Sequence, residues 1–173
     1  ALSALLRILH DEVSPALRGN YSTEVARQLL AVSGELTSQL AFLSYDTGGT
    51  GTAQRANIQA LRMAKAAGET QLGAHILANM SSQAVAEGRG REAVELARAA
   101  VAGSTGADVH PRVLARIQTA EASAQALTGA RDAFTWSIRR AEQALDEDSE
   151  LPPPAWVSFF SRTHWAGSAV RGL

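Results

Sequence analysis

Glycine and alanine recur in a fixed phase along this chain. Gly48, Gly88 and Gly129 stand 40 and 41 residues apart, and Ala53, Ala93 and Ala133 stand 40 apart each time. Stretches of small residues with helical periodicity run from each alanine: AQRANIQALRMAKAAG from Ala53, AVELARAAVAG from Ala93 and AFTWSIRRAEQAL from Ala133. Repeats of this length are a signature of stacked helical hairpins, because one hairpin cannot bury its apolar face alone. The functional question therefore concerns what lies against the surface that these helices build.

Composition narrows that question. A chain of 173 residues holds one domain with a sizeable core. Its abundant alanine suits close helix–helix approach and is the best helix former. The net charge is −1 and the basic residues are dispersed among Asp and Glu, without the basic stripe of a nucleic-acid-binding domain. Without cysteine there are no disulfides and no thiolate metal sites, which fits a cytoplasmic protein. No apolar run reaches the roughly 18 residues of a membrane span. The window at Leu2–Leu9 is broken by Ser3 and Arg7 and lacks a signal-peptide cleavage pattern. The sequence opens on Ala1, so it is expected to be a piece of a longer protein. Lys65 is the one lysine among 16 basic residues, which with the alanine and glycine content suggests a GC-rich genome.

The punctuation predicts seven to nine helices and no strands. Leu2–Leu17 reads as an amphipathic helix striped by Leu5, Leu6, Leu9 and Val13 and disturbed by Pro15. Ser22 is a good N-cap for a long helix from Thr23 to about Thr47, inside which Gly34 allows a bend or break. Residues 48–52 read as a helix–helix loop. They do not make a phosphate loop, because the Lys-Ser/Thr element and a preceding strand are missing. Further helices are expected over Thr52–Ala67 with Gly68 as left-handed C-cap, over Thr70–Glu87, and over Arg91–Ala102 ending at Gly103. After a loop over Gly103–His110, Pro111 opens a helix to about Leu127, and Arg131–Leu145 forms its partner. Asp146–Glu150 and Pro152–Pro154 make a stiff connection to a last helix over Pro154–Val170.

The pattern resembles the tetratricopeptide repeat, in which a turn glycine is followed by alanine five residues later and a small residue seven after that. Gly48–Ala53–Ala60 and Gly88–Ala93–Ala100 match, while Gly129 with Ala133 or Phe134 and then Ala141 is looser. The period exceeds the usual 34 residues, and the early large aromatic of the first helix is missing. A closer resemblance covers nearly the whole chain and is most specific from Tyr45 to Gly103. There the sequence is similar to the C-terminal region of actinobacterial regulators, in which a helix-turn-helix domain of the Cro-repressor type precedes a tetratricopeptide-like domain. RGNYSTEVARQLLAVSGELTSQLAFLSYDTG and PPAWVSFFSRTHWAGSAVR also resemble that family, although an acidic residue is more usual near His164. The resemblance implies an all-α, right-handed tetratricopeptide-like solenoid, a single domain over residues 1–173. It would regulate transcription, with DNA contacted through an N-terminal domain absent from this sequence.

In such repeats the first helix of each pair lines the concave face. The turn glycines place Glu35, Ser38, Gln39, Phe42, Tyr45 and Asp46 there in the first pair. His75, Ala78, Asn79, Ser82 and Val85 follow in the second, and Arg116, Thr119 and Ser123 in the third. The ligand- or partner-binding set is Gln39, Tyr45, His75, Asn79, Ser82, Arg116 and Thr119. Asn79 can pair with a peptide backbone or bridge neighbouring helices. Arg116 can hold a carboxylate through two parallel hydrogen bonds or be a solvated arginine. Tyr45 and Phe42 read as core before contact, and His75 as a structural histidine or a pH-responsive contact. Trp156, Phe159 and Phe160 concentrate on the last helix with Trp165. They either pack on the third pair or form a seam with a second copy.

Catalytic signatures are absent. His10, His75, His110 and His164 show no metal-ligand spacing, no GxSxG elbow is present, and the acidic run at 146–150 lacks the spacing of a calcium loop. No enzyme activity, metal or cofactor is expected. The expected function is effector sensing or protein interaction, with a peptide, small molecule or partner protein in a concave groove. The chain is expected to be a cytoplasmic homodimer off the membrane. The alternative is a dimerisation scaffold without a small-molecule effector.

Overall fold

The computed structural model describes residues 2–104, 109–147 and 149–171. Among these the chain is all-helical and no strand occurs. Two compact units divide it, Ala1–Ile76 and Leu77–Leu173. The helices are α1 (Leu2–Ile8), α2 (Ser14–Ala16), α3 (Thr23–Asp46), α4 (Thr50–Ala67), α5 (Thr70–Ala86), α6 (Gly90–Ser104), α7 (Pro111–Leu127), α8 (Arg131–Asp146) and α9 (Arg162–Arg171). A π-helical stretch at Leu9–Val13 joins α1 to α2, so the described residues form eight helical rods. That widened turn precedes Pro15, which has no amide hydrogen to continue the ladder. No helix among the described residues is long and apolar enough to cross a membrane.

One turn is used four times. Gly48, Gly68, Gly88 and Gly129 all have positive φ, between 72° and 83°. At each, the glycine amide donates back three residues and the next amide donates back five: Gly48 to Tyr45 and Gly49 to Ser44, Gly68 to Lys65 and Glu69 to Ala64, Gly88 to Val85 and Arg89 to Ala84, Gly129 to Ala126 and Ala130 to Gln125. This is the Schellman closure, in which a left-handed glycine satisfies the last carbonyls of a helix. The carbonyl of the residue after the glycine then accepts the first bond of the next helix, Gly49 from the Ala53 amide, Glu69 from Gly73, Arg89 from Ala93 and Ala130 from Phe134. The turn therefore needs three residues, and α4 begins at Thr50, earlier than the loop expected over residues 48–52.

The same phase sets the core. The positions five and twelve residues after the three repeat glycines are buried in every case: Ala53 and Ala60, Ala93 and Ala100, Phe134 and Ala141. In the third pair Phe134 takes the place that Ala133 was also a candidate for; Ala133 is half-buried.

In the first unit α3 packs on α4. The buried face of α4 is Ala53, Ala56, Asn57, Ala60, Ala64 and Ala67, against Ser33, Gly34, Thr37, Ser38, Ala41 and Ser44 of α3. Such short side chains let two backbones approach closely, and dispersion across the seam replaces the area that large side chains would bury. Thr37 donates to the Ser33 carbonyl at 2.7 Å and lies 3.8 Å from the Met63 sulfur. The break that Gly34 allows does not occur, and α3 runs unbroken. A side chain at Gly34 would meet Leu72, Met63 and the Ala60 carbonyl, so this glycine lies inside the seam. Phe42, an alternative core residue, is 53% exposed.

In the second unit Ala84, Ala93, Ala97 and Ala124 form a cluster edged by Val85, Val94 and Leu96. Ser81 donates to the Ala93 carbonyl at 2.9 Å, tying the second half of α5 to α6. Helix α7 packs on both α6 and α8. Pro111 opens α7 as expected, with the His110 ring accepting from the Arg112 amide. Helix α6 runs one residue past Gly103; of the loop expected over Gly103–His110, residues 105–108 lie outside the described residues, as does Asp148 of the acidic run.

The single last helix expected over Pro154–Val170 is replaced by two pieces. A 3-10 turn at Ala155–Val157 is followed by a break and then by α9. Arg112 takes the Ser158 carbonyl at 3.3 Å, and Phe160 turns inward to 3% exposure, which pulls the chain off a helical path. Ser161 then starts α9, its carbonyl accepting from the Trp165 amide. Helix α9 packs on α7 and α8, and the Trp165 indole donates to the Ile138 carbonyl at 3.2 Å. An Arg162–Asp146 ion pair closes the same corner.

Candidate functional site

Gln39, Tyr45 and His75 belong to the first unit; Asn79, Ser82, Arg116 and Thr119 belong to the second, with Trp156, Phe159 and Phe160. In the first unit Gln39 is exposed, Tyr45 half-buried and His75 buried. In the second unit four of the predicted residues converge.

Asn79 and Ser82 lie one turn apart on α5, so both face the same neighbour. That neighbour is Arg116 of α7. Its Nη2 donates to Asn79 Oδ1 at 2.9 Å and to Ser82 Oγ at 3.1 Å. Both acceptors are neutral, and no ion pair engages Arg116 among the described residues. Burial of the guanidinium lowers its pKa from the usual arginine value to about 10. It remains a cation at neutral pH, with Nε and Nη1 carrying three further donors.

Arg116 lines a cavity of about 400 Å³, within the range of small-molecule sites. One wall is Thr119, Ala120 and Ser123 of α7, which share a helix face with Arg116 by their spacing. A second is Ser82, Val85 and Ala86 of α5, and the third is Phe159, Phe160, His164 and Ser168. The His164 ring meets Phe159 edge-on at 5.8 Å and Phe160 at 6.3 Å, and its Nδ1 lies 3.2 Å from Ser161 Oγ. None of the lining residues among the described ones is acidic. Ser82, Thr119 and Ser123 each donate to the carbonyl four residues back, at 3.0, 2.8 and 3.0 Å; Ser82 Oγ also accepts from Arg116, and the Thr119 and Ser123 oxygens keep lone pairs for a further donor.

Of the aromatic set, Phe160 is buried, Phe159 is 50% exposed and Trp156 is half-buried. Phe159 and Phe160 line the cavity and Trp156 does not. Ala86, Ala120 and Ser168 also line it and were not among the predicted contacts. Ala120 could have been found from its i+4 spacing to Arg116. Ser168 could not, because its place depends on where α9 docks.

A second polar feature was not foreseen. Buried Glu121 of α7 accepts from buried Ser137 of α8 at 3.0 Å. Gln118, one turn earlier and fully buried, has both amide atoms without a hydrogen-bond partner among the described residues. This face of α7 lies away from Arg116 and does not line the cavity.

No protein-family model matches the chain, and no curated protein or solved structure does. Among the described residues no group of three or more His, Asp or Glu side chains is placed to hold a metal ion.

Proposed function

We propose that this chain is the effector-sensing domain of a bacterial transcription regulator, a tetratricopeptide-like right-handed solenoid of the kind that its sequence resembles. It acts by binding and not by catalysis. Arg116 carries the reading. It is a partly buried cation held by two neutral acceptors at the edge of a small-molecule-sized cavity. A structural arginine in such a place is commonly paired with a carboxylate. An effector changes the regulator through its differential affinity for two arrangements of the protein, and so alters how a helix-turn-helix domain carried elsewhere in the protein meets DNA. The supports for that larger setting are the repeat phase and the resemblance of Tyr45–Gly103.

A thermal-shift screen of metabolite and peptide libraries against the chain and its Arg116→Ala variant tests the binding reading. Compounds that stabilise the wild type and not the variant support it. A library that shifts neither protein, or shifts both alike, defeats it. The coding sequence upstream of Ala1 tests the regulator setting, which requires a helix-turn-helix segment there.

A further inference from the structure

We infer that the cavity beside Arg116 takes a small monocarboxylate carrying an apolar body, with the carboxylate on Arg116 and the apolar part against Phe159 and Phe160. This deepens the binding reading above and rests on it.

Charge and shape select the class together. The two Nη2 protons of Arg116 are spent on Asn79 and Ser82, which fix the plane of the guanidinium from one side. The Nε and Nη1 donors have no protein acceptor among the described residues, and a carboxylate is the anion whose two oxygens match paired guanidinium donors. No described lining side chain is acidic, so none of them competes for the cation or repels an anion. One arginine, and no lysine, among the described lining residues argues for one negative charge. A dianion such as a phosphate monoester would carry a second charge against the hydroxyl lone pairs of Thr119 and Ser123, whose protons point to their own helix carbonyls. The opposite wall is aromatic, with Val85 and Ala86 beside it, and offers apolar area for the rest of the molecule. The volume of about 400 Å³ suits a free acid more than an extended peptide.

The test is a nuclear magnetic resonance titration of the 15N-labelled 173-residue chain. The probes are phenylacetate and indole-3-acetate, their neutral amides, and a short peptide ending in phenylalanine with a free or an amidated C-terminus. The expected result is that at least one free acid shifts the Arg116 Nε–H signal and the amides of Ser82, Phe159 and Phe160. Its amide should bind at least about tenfold more weakly, since a charge-assisted bond is lost, and Arg116→Met should abolish the shifts while the rest of its spectrum stays in place. Should Arg116→Met disturb the fold, Arg116→Gln gives the same readout with the polar contacts to α5 kept in reach. Acid and amide binding alike at the cavity would overturn the carboxylate assignment and leave the binding reading standing. Binding of the free-terminus peptide without the acids would overturn the small-molecule assignment in favour of a peptide terminus. If no probe moves any signal around Arg116, the carboxylate inference is overturned; the library screen then decides separately whether the binding reading also falls.

Discussion

Arg116 Nη2 donates to Asn79 Oδ1 at 2.9 Å, joining two helices whose partners stand 37 residues apart in the sequence. The bond places a cation where the described residues supply no anion. Asn79 here is a bridge between helices, one of the two roles open to it from the sequence.

The energetic weight of this pair should be asymmetric. Asn79→Ala is expected to cost about 1–2 kcal/mol, because it strips one acceptor from a desolvated guanidinium. Arg116→Met should change stability by less than about 1 kcal/mol, or raise it, since an apolar side chain has no charge to desolvate. Urea unfolding of both single variants and the double variant measures this. An Arg116→Met loss exceeding that of Asn79→Ala would contradict it.

The Glu121–Ser137 bond predicts a second asymmetry. Ser137→Ala removes a donor from a buried carboxylate and should cost about 1–3 kcal/mol. Glu121→Gln keeps an acceptor for the same hydroxyl and should cost less. Chemical denaturation of the two variants compares them directly.

Glycines at turns and glycines in seams should respond oppositely to alanine. At Gly88, φ is +72° and no atom lies within 4 Å of an added Cβ, so Gly88→Ala strains the backbone without a clash and should cost about 1–2 kcal/mol. Gly34 is helical, and its nearest neighbours stand at 3.4–3.5 Å from an added Cβ. Gly34→Ala is expected to stabilise by about 0.5–1 kcal/mol. Gly34→Leu would wedge α3 from α4 and destabilise. Melting temperatures of the three variants suffice.

Glu35 introduces a pH dependence in the first unit. Burial, and then the charge of Glu69, hold its carboxyl above the usual 4.5. The folded state thus retains a proton that the unfolded state has released. This contribution to stability is fully present below the unfolded value and is lost as the pH rises through the raised folded value. Glu35→Gln should flatten the melting temperature over that window and raise it by roughly 1–3 °C at pH 7. A parallel loss at every pH would show that the side chain acts by packing instead.

Phe159 separates the binding reading from the scaffold alternative. It is 50% exposed, whereas Phe160 is buried and belongs to the fold. On the cavity reading, Phe159→Ser should weaken an apolar acid by about tenfold, as expected for losing much of an aromatic contact, with the sedimentation coefficient unchanged. A variant that sediments more slowly than the wild type would place Phe159 in a seam between copies.

Much of the helical architecture is legible in the sequence because its determinants are local. Gly68 closes a helix and Pro111 opens one through backbone geometry that neighbouring residues fix. The phase after Gly48, Gly88 and Gly129 marks which positions are buried through a helical period. Tertiary structure decided the rest. The continuity of α3 through Gly34 goes with the face of α4 lying against it, and the break before α9 depends on Arg112 and the burial of Phe160. The convergence of Asn79, Ser82 and Arg116 follows from the rotation of one helix about its axis against another. A repeat pattern sets which side chains a helix turns to one side. It does not fix which of them meet across a gap of a few ångströms, because that distance is the sum of many packing contacts made far apart in the chain.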